Sequence, residues 1–399
     1  MKMKRRIVSL LCVLLCICSS VFAEAINMAD EVKFRSPGGR NYGRLNDQKY
    51  RAHFQSRAAK EVTLEISSEK DMHALQIKWE TIPGKWFLEQ EKDGAWETIA
   101  EYGQHNFLIE YVEVPALRHV RLRRETEKPK PLRIYELEVY GEGELPKTVQ
   151  RWKQNEDKAD ILLLSAHPDD ELIFMGGLIP TYGEHSDKKL QVAYMTHGVD
   201  IRRYELLHGL WHCGLQYYPS IGEFHDKYSK TLKMAYAYWK EDRALRYVVD
   251  LYRKYRPDVV VTHDVNGEYG HGAHRAAADL AIKAFDLAAD ESYQTDYQPW
   301  HVKKLYVHLG EDPSKVIHMD WNQPLAAFDG KTSLEVAKGA WEYHESQRGG
   351  RADFQGRTFF FHVMEGGVFD NAKFSLVRSR VGEDIEKNDF FENLNLRVE

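Results

Sequence analysis

The chain has 399 residues, which is enough for roughly two or three domains of ordinary size. Its residues are 43% hydrophobic and 29% charged, a balance that indicates a globular protein with a sizeable core and excludes a disordered or low-complexity chain. The formal net charge of −6 argues against nucleic acid or an anionic membrane surface as a partner.

The first 25 residues have the features of an export signal. Basic residues near the start precede an apolar run over 7–21, and Ala23 offers the small side chain that a signal peptidase reads. The run is shorter than the about 20 residues of a transmembrane helix, so we expect cleavage rather than a membrane anchor. The mature protein is therefore predicted to be periplasmic or secreted, with no transmembrane span after cleavage.

Cysteine usage leaves the mature chain without a disulfide pair. Three of the four cysteines lie in the signal, and Cys18 follows Ile17, where a lipobox requires a small residue, which disfavours a lipid anchor. Only Cys213 remains, in an apolar helical context where we expect it to be packed rather than reactive. The mature fold is therefore expected to depend on its hydrophobic core.

Residues 26–148 are predicted to form an antiparallel β-sandwich. Alternation of apolar and polar residues predicts strands at Val62–Ile66, Leu75–Trp79 and Leu137–Val139. Turn-forming residues separate the strands at Pro83-Gly84, Asp93-Gly94 and Gly141–Gly143. Short strands at this spacing are typical of a sandwich. A polar connector over Lys147–Lys158 follows.

From Asp160 onward the pattern changes to alternating strands and helices. Short apolar runs predict buried parallel strands at Ile161–Ser165, Val192–Thr196 and Val259–Thr262. Helical spacing marks the segments Arg203–Leu215, Leu232–Tyr255 and Ala273–Ala289. We therefore expect residues 149–399 to form an α/β domain around a Rossmann-like, mostly parallel sheet, with ligands beyond the carboxyl ends of its strands.

Ionisable residues follow the first of these strands directly. If a helix begins near Asp169, His167 and Asp170 converge on one point while Asp169 faces elsewhere. An imidazole and a carboxylate on one point are zinc ligands. The alternative is a capped helix with a surface histidine, because carboxylates in a first helical turn are also stabilised by the helix dipole.

A second cluster follows the strand Val259–Thr262. Gly270-His271-Gly272-Ala273-His274 opens the alanine-rich helix, and His271 and His274 are spaced so that both can face one cleft. Together the two strand ends supply three metal ligands and leave a position open for water, as a catalytic zinc site requires. An H-x-x-H pair alone is weak, so the prediction depends on both clusters.

At these residues the chain resembles the LmbE-like (PIG-L) zinc de-N-acetylases. The resemblance covers roughly Ile161 to Glu392. It is carried by four motifs, Ala166-His167-Pro168-Asp169-Asp170-Glu171, Arg202-Arg203-Tyr204-Glu205, Gly270-His271-Gly272-Ala273-His274 and His344-Glu345-Ser346-Gln347. It implies removal of the N-acetyl group from a 2-acetamido sugar, N-acetylglucosamine or N-acetylgalactosamine, with release of acetate.

The same resemblance implies a role for each residue of the motifs. The ligands of a Zn²⁺ cofactor would be His167, Asp170 and His274. Asp169 would be the general base, His271 would stabilise the oxyanion or protonate the leaving amine, and Arg202 would contact substrate hydroxyls. These roles agree with the chemistry of zinc, of an unligated carboxylate and of an imidazole facing an oxyanion.

Neighbouring polar residues allow two interpretations. Glu171 could orient His167 or only cap the helix, and we favour the first. His197, His263 and Asp264 could line the cleft or be ordinary polar loop residues. His344 could approach the site from far along the chain.

The N-terminal region resembles galactose-binding-like (discoidin-type) sandwiches over about residues 45–142. The resemblance is carried by Leu75–Trp79, Trp86 and Leu132–Gly141. Exposed aromatic residues in such domains stack on sugar faces. Trp79, Trp86 and Trp96 are candidates for this, and each could equally be a core residue.

Several other chemistries are excluded, and two alternative functions remain. The chain has no G-x-S-x-G elbow, no H-E-x-x-H helix and no G-x-x-x-x-G-K-[ST] loop, and carboxylates at the first strand–helix turn would repel a dinucleotide. The alternatives are a zinc amidase acting on a non-sugar N-acyl compound and an inactive glycan-binding protein. The intact set of motif residues argues against the second.

Overall fold

The computed structural model describes residues 23–155, 158–183, 186–310, 312–349, 351–352, 358–359 and 361–395. The apolar run of the predicted export signal lies outside the described residues. Within the described ranges, no helix combines the length and the apolar composition needed to cross a bilayer.

The N-terminal region is built from strands that are all antiparallel. They are β1 (Lys33–Arg35), β2 (Phe54–Gln55), β3 (Ala59–Trp79), β4 (Trp86–Lys92), β5 (Ala95–Tyr102), β6 (Ile109–Lys130) and β7 (Arg133–Tyr140). Their order is β2-β7-β3-β6-β4-β5, with β1 paired to β3. Short 3-10 helices at Ala29–Glu31 and Tyr42–Arg44 precede β2. The predicted antiparallel β structure is therefore present.

Hydrogen bonds join these strands into one continuous sheet. The predicted strands Val62–Ile66 and Leu75–Trp79 are the two halves of β3, which pairs with β6 with register shifts between Ala59 and Glu61 and, in the middle of the strand, between Ser67 and Ala74. The inward-facing residues change from even to odd numbers across this shift, and both halves contribute to the same hydrophobic core. The irregularity thus keeps both halves facing one core.

Two of the three tryptophans considered for sugar stacking are core residues. Trp79 and Trp86 are buried, and both indole Nε1 groups donate to Glu110 Oε2, at 2.6 and 2.8 Å. Trp96 is half-buried, with the guanidinium of Arg121 4.4 Å from its ring centroid. Neither Trp79 nor Trp86 is placed to meet a sugar.

Residues 150–153 of the predicted polar connector Lys147–Lys158 are packed against both regions. Gln150 N donates to Gln76 Oε1 at 2.6 Å on the N-terminal side, and Lys153 N donates to Gln216 O at 2.8 Å on the other. Trp152 is buried edge-on to Trp211. The connector therefore joins the two regions rigidly.

The C-terminal region alternates strands and helices. In chain order it contains β8 (Ile161–Ser165), α1 (Asp170–Ile173), α2 (Leu178–Tyr182), β9 (Leu190–Thr196), α3 (Asp200–His212), β10 (Ser220–Phe224), α4 (Leu232–Trp239), α5 (Glu241–Tyr255), β11 (Val259–Thr262), α6 (Gly272–Leu287), β12 (Lys304–His308), β13 (Val316–His318), α7 (Ser333–Trp341), β14 (Arg351–Ala352), β15 (Thr358–Phe359) and β16 (Lys373–Ser379). Short 3-10 helices occur at Glu268–Gly270, Pro313–Lys315, Ala326–Phe328 and Gly367–Phe369. β14 and β15 form a separate hairpin.

The main sheet of this region has the order β10-β9-β8-β11-β12-β16-β13. The strands from β10 to β12 are parallel, whereas β16 and β13 are antiparallel additions at one edge. Alternate residues of β8 and β11 pack into cores on opposite faces of the sheet. After β8, the strands β9 and β10 are added on one side of it, whereas β11 and β12 are added on the other side. In parallel sheets, such a change of side opens a crevice at the carboxyl ends of the two central strands, here β8 and β11.

The predicted helical segment Leu232–Tyr255 is two helices. Thr231 caps α4 by accepting from Met234 N, and the break falls at Lys240, which has a φ of 62°. A run of four charged residues, 240–243, stands at the break, and its two acidic residues lie in the first turn of α5. The predicted helical segment is therefore helical but divided at Lys240.

The N-terminal sheet packs directly on α3. The ring of Tyr50 stacks on Tyr204 with centroids 4.7 Å apart, and Tyr135 meets Tyr204 edge-on. Leu108 N donates to Tyr218 OH at 3.1 Å. Cys213, at the end of α3, is fully buried in this same core, as predicted. The interface therefore braces the helix that begins just before Arg202.

Candidate active site

A strained turn at the end of β8 presents the first motif. Asp169 adopts a φ of 121°, which is rare for a residue with a side chain, and α1 begins at the next residue. His167 Nδ1 and the His167 backbone N both donate to Asp170 Oδ2 at 2.9 Å. Asp169, His167 and Asp170 are all buried. The predicted convergence of His167 and Asp170 is therefore present, and Asp169 makes neither of these two bonds.

The second motif lies at the start of α6. His271 is the N-cap residue, and its Nδ1 accepts from Ala273 N at 3.1 Å. Gly272 is required here because a Cβ at this position would lie 2.4 Å from Thr231 O. The rings of His271 and His274 are 4.6 Å apart, and that of His167 is 5.3 Å from His274. The carboxyl ends of β8 and β11 thus bring both motifs into one cluster.

Asp170 is the centre of this cluster. Its Oδ2 atom lies 2.9 Å from His167 Nδ1 and 3.2 Å from His274 Nε2. Burial raises the pKa of Asp170, but His274 and His167 outweigh it and hold the pKa well below the usual range. Conversely, the carboxylates of Asp170 and Glu268 overcome burial and raise the pKa of His274 to about 10. The surroundings of His274 Nε2 therefore favour positive charge.

The side chains fit a divalent metal, and His274 is the decisive residue. Its Nδ1 donates to Glu268 Oε2 at 2.7 Å, which places the lone pair on Nε2. That Nε2 atom is buried and makes no hydrogen bond to any described residue. Zinc ligands lie about 3.3 Å apart around a tetrahedral ion. The 3.2 Å between His274 Nε2 and Asp170 Oδ2 is close to that value.

Within the part of the chain that the structure describes, two sets of three residues could hold an ion by distance alone. They are His167, His271 and His274, and Asp170, His263 and His274. Hydrogen bonding argues against two of the members. His263 Nε2 accepts from Ala166 N at 2.9 Å, and His271 Nδ1 accepts from Ala273 N, so neutral His271 carries its proton on Nε2.

Without His271 and His263, the residues that remain from the two sets are His167, Asp170 and His274. Neutral His271 keeps an N–H at Nε2, as an oxyanion donor would. Burial, and then the neighbouring His274 and His167, lower the pKa of His271. The role of each residue stays a prediction.

Arg202 and Glu171 both contact Asp169. Its Oδ1 atom pairs with Arg202 NH2 at 3.0 Å, and its backbone N donates to Glu171 Oε2 at 2.8 Å. Burial raises the pKa of Asp169 to about 7, against the opposing effect of Arg202 and with a further contribution from Asp170. A carboxyl group that titrates near neutral pH is suited to general base catalysis.

Arg202 and Glu171 have partners that the sequence did not predict. Arg202 NH1 pairs with Asp226 Oδ2 at 2.6 Å, so its guanidinium bridges Asp169 and Asp226. The predicted contact of Arg202 with substrate hydroxyls stays a prediction. Glu171 does not orient the His167 ring, because its carboxylate accepts from the Asp169 backbone. Our preferred interpretation of Glu171 was therefore wrong.

His344 lies behind the turn that carries Asp169. Its Nε2 atom is 4.0 Å from Glu171 Oε1, and the ring stacks on Trp341. Both nitrogens of this fully buried ring are without a hydrogen-bond partner among the described residues. Burial, with added repulsion from Arg202, lowers the pKa of His344 to about 3. The later H-x-S-Q motif therefore places a buried imidazole beside Glu171, whose other carboxylate oxygen binds the Asp169 backbone.

This buried ring predicts an acid-sensitive fold. The unfolded chain binds a proton at His344 below its ordinary pKa of about 6.5, whereas the folded chain binds it only near pH 3. Stability should therefore fall as the pH drops through this window, by about 1.4 kcal/mol per pH unit for this one proton.

Urea unfolding of the wild type and His344→Gln between pH 4 and 8 measures this contribution. The slope of stability against pH should be shallower in the variant. Equal slopes would show that His344 does not titrate on unfolding.

Aromatic residues form the rim of the cleft. Tyr228 and Tyr269 meet the His271 ring edge-on, with centroids 4.9 and 5.6 Å away, and both are partly exposed. Tyr269 has a φ of 44° and also contacts Phe361. Flat, partly exposed rings beside the cluster provide surfaces on which a sugar ring could stack.

The other polar residues that the sequence placed near the cleft differ in their burial. His263 and Asp264 are buried beside the site, and His197 is half-buried at the end of β9. Sequence reasoning missed Asp226, Glu268 and His308, which lie in the loop after β10, in the loop before α6 and at the end of β12. A carboxylate a few residues before a histidine pair was the available signal for Glu268.

Comparison with known proteins identifies the segment that contains this cluster. Residues 162–285 match the family model described as "PIG-L: GlcNAc-PI de-N-acetylase". A deacetylase of 1D-myo-inositol 2-acetamido-2-deoxy-alpha-D-glucopyranoside from Catenulispora acidiphila is 29% identical over 175 residues, 37% of this chain and 54% of that protein. The corresponding enzyme of Geodermatophilus obscurus is also 29% identical, over 37% of this chain and 60% of its own.

Among solved structures, the N,N'-diacetylchitobiose deacetylase of Pyrococcus horikoshii is 18% identical, with a TM-score of 0.36 over 48% of this chain and 70% of that one. The chain spans little more than half the length of the two curated relatives. The family match runs from β8 into α6 and ends before His344, so it is shorter than the resemblance predicted from the sequence. Residues 162–285 are therefore the part of the chain that matches a de-N-acetylase family.

Proposed function

We propose that this protein is a zinc-dependent hydrolase that removes the N-acetyl group from 2-acetamido sugars in glycans or glycoconjugates and releases acetate. The observation that carries the proposal is the unpartnered His274 Nε2, aimed at Asp170 and His167 beside the raised-pKa carboxyl of Asp169. The family match at residues 162–285 and the GlcNAc-type substrates named for its relatives support the choice of a sugar amide.

In this proposal, His167, Asp170 and His274 hold the zinc ion. When bound, zinc would supply Lewis acidity, which makes water a better nucleophile near neutral pH and polarises the acetyl carbonyl. The open side of the cluster faces the partly exposed rings of Tyr228 and Tyr269, which would receive the sugar.

Asp169 and His271 would carry out the proton transfers. Asp169 takes the proton of the attacking water on its carboxylate, held towards the cleft by Arg202. His271 donates from Nε2 to the carbonyl oxygen as negative charge develops there, because its Nδ1 is occupied by the Ala273 N–H. The proton that Asp169 took from the water then passes to the nitrogen of the amide as the C–N bond breaks. Acetate and the free amino sugar leave.

Two further parts of the proposal concern location and the N-terminal region. Export is supported by the basic head and apolar run of the first 25 residues. Ala25 N donates to Glu144 O, so the chain just beyond the apolar run already pairs with the N-terminal region. We propose that residues 26–148 form a galactose-binding-like domain, supported by the antiparallel strand pattern.

Acetate release tests the reaction. The purified protein is incubated with N-acetylated mono- and oligosaccharides, and with N-acyl amino acids as non-sugar amides, in metal-free and zinc-reconstituted forms. Zinc-dependent acetate from sugars supports the proposal. Acetate from N-acyl amino acids alone would indicate the non-sugar amidase, and no acetate from any compound would contradict an active deacetylase.

Metal content tests the ligand set separately from activity. We expect His274→Ala and Asp170→Ala to bind less than a tenth of the zinc of the wild type at equal free zinc, because each loses one of three ligands. His263→Gln should retain zinc, since its Nε2 is engaged by Ala166 N. Elemental analysis after dialysis measures this, and zinc loss in His263→Gln would assign the ion to the alternative set.

A further inference from the structure

Glu268 is the most heavily shared carboxylate near the cluster. Its Oε2 atom accepts from His274 Nδ1 at 2.7 Å and from His263 Nδ1 at 2.9 Å. Its Oε1 atom accepts from His308 Nδ1 at 2.7 Å and from Asp264 N at 3.2 Å. Three imidazole rings and one backbone amide thus donate to a single buried group.

The contacts of Glu268 extend to several strand ends. Through His263, whose Nε2 accepts from Ala166 N, the carboxylate is connected to the end of β8. Through His308, whose Nε2 donates to Asp370 O at 3.0 Å, it is connected to β12 and the loop before β16. The positions of the two metal-binding motifs relative to each other therefore depend on one side chain.

Glu268 also selects the tautomer of His274. A carboxylate can only accept, so it requires a proton on Nδ1 and leaves the Nε2 lone pair free. The group is therefore a fixed acceptor at the point where the ligand is oriented.

We propose that Glu268 is a positioning residue that sets the metal affinity of the cluster by fixing the tautomer and direction of His274. This inference rests on the proposed function only in taking His274 as a metal ligand. A glutamine at this position presents an NH2 group to at least one imidazole N–H. Two hydrogen-bond donors then face each other. This repulsion is removed if the imidazole proton moves to the other ring nitrogen, and in His274 that move takes the lone pair away from Nε2.

The test is the zinc dissociation constant of Glu268→Gln, measured by competition with a chromophoric chelator. Carboxylates that orient metal-bound histidines typically contribute 10–100-fold to metal affinity, so we expect the constant to rise by about that factor. The matched control is Glu110→Gln. Glu110 is also buried and accepts from three N–H groups, those of Trp79, Trp86 and Gly103, but it lies in the N-terminal sheet.

A raised constant in Glu268→Gln, with an unchanged constant in Glu110→Gln, supports the proposal. A constant within twofold of the wild type in folded Glu268→Gln overturns it. If circular dichroism shows that Glu268→Gln is unfolded, Glu268→Asp is judged by the same criterion, since it keeps a carboxylate but draws it back from His274 Nδ1. A wild type that binds no zinc would instead contradict the proposed function itself.

Discussion

Asp169→Asn is expected to lower kcat/KM for acetate release by about 10²–10⁴-fold while zinc stays bound. Asparagine has nearly the same shape and tolerates a positive φ better than most residues, so the strained turn should be retained. What is lost is the carboxylate that takes up the proton in the proposed reaction, together with its ion pair to Arg202. The effect should fall on kcat rather than on KM.

Three measurements make this result specific to proton transfer. Zinc content and the melting temperature should match those of the wild type, because Asp169 is not one of the three ligands and its backbone bond to Glu171 is kept. Steady-state rates on the best sugar of the panel give kcat and KM. A variant that retains zinc and loses less than tenfold in kcat/KM would show that another group is the base.

Much of the C-terminal fold could be predicted because its central strands are buried on both faces. β8 and β11 agree with the predicted bounds Ile161–Ser165 and Val259–Thr262, since continuous apolar runs leave little choice of boundary. β12 was missed because Lys304 and His308 stand at its two ends and leave only three apolar residues between them. That lysine is fully buried and paired with Asp384, a compensation that only the tertiary structure reveals.

A residue of the candidate site could be predicted only where the strand next to it was predicted. Residues beside the predicted strand ends, such as His167 and His274, could be found because the strand ends were found. Asp226 follows β10, an edge strand that is only partly buried and has too few apolar residues to stand out. His308 follows the missed β12. Glu268 was visible in the sequence, but its three histidine partners come together only after β11, α6 and β12 have packed.

His271→Asn should lower kcat by about 10²–10³-fold without loss of zinc, the range expected for removal of one oxyanion donor. Asparagine is a good N-cap, so its side-chain oxygen can replace Nδ1 as acceptor of the Ala273 N–H. It is too short to reach as far into the cleft as the imidazole Nε2. The substitution therefore separates the capping role of His271 from its proposed donor role.

Zinc content decides between the two interpretations of the His271 ring. Because Nδ1 accepts from Ala273 N, a neutral ring carries its proton on Nε2 and has no lone pair to offer an ion there. Full zinc occupancy in His271→Asn, with kcat reduced and KM nearly unchanged, fits a donor that acts only in the transition state. Loss of zinc would place His271 among the ligands with His167 and His274, and Asp170 would then be left to hold the two rings in place.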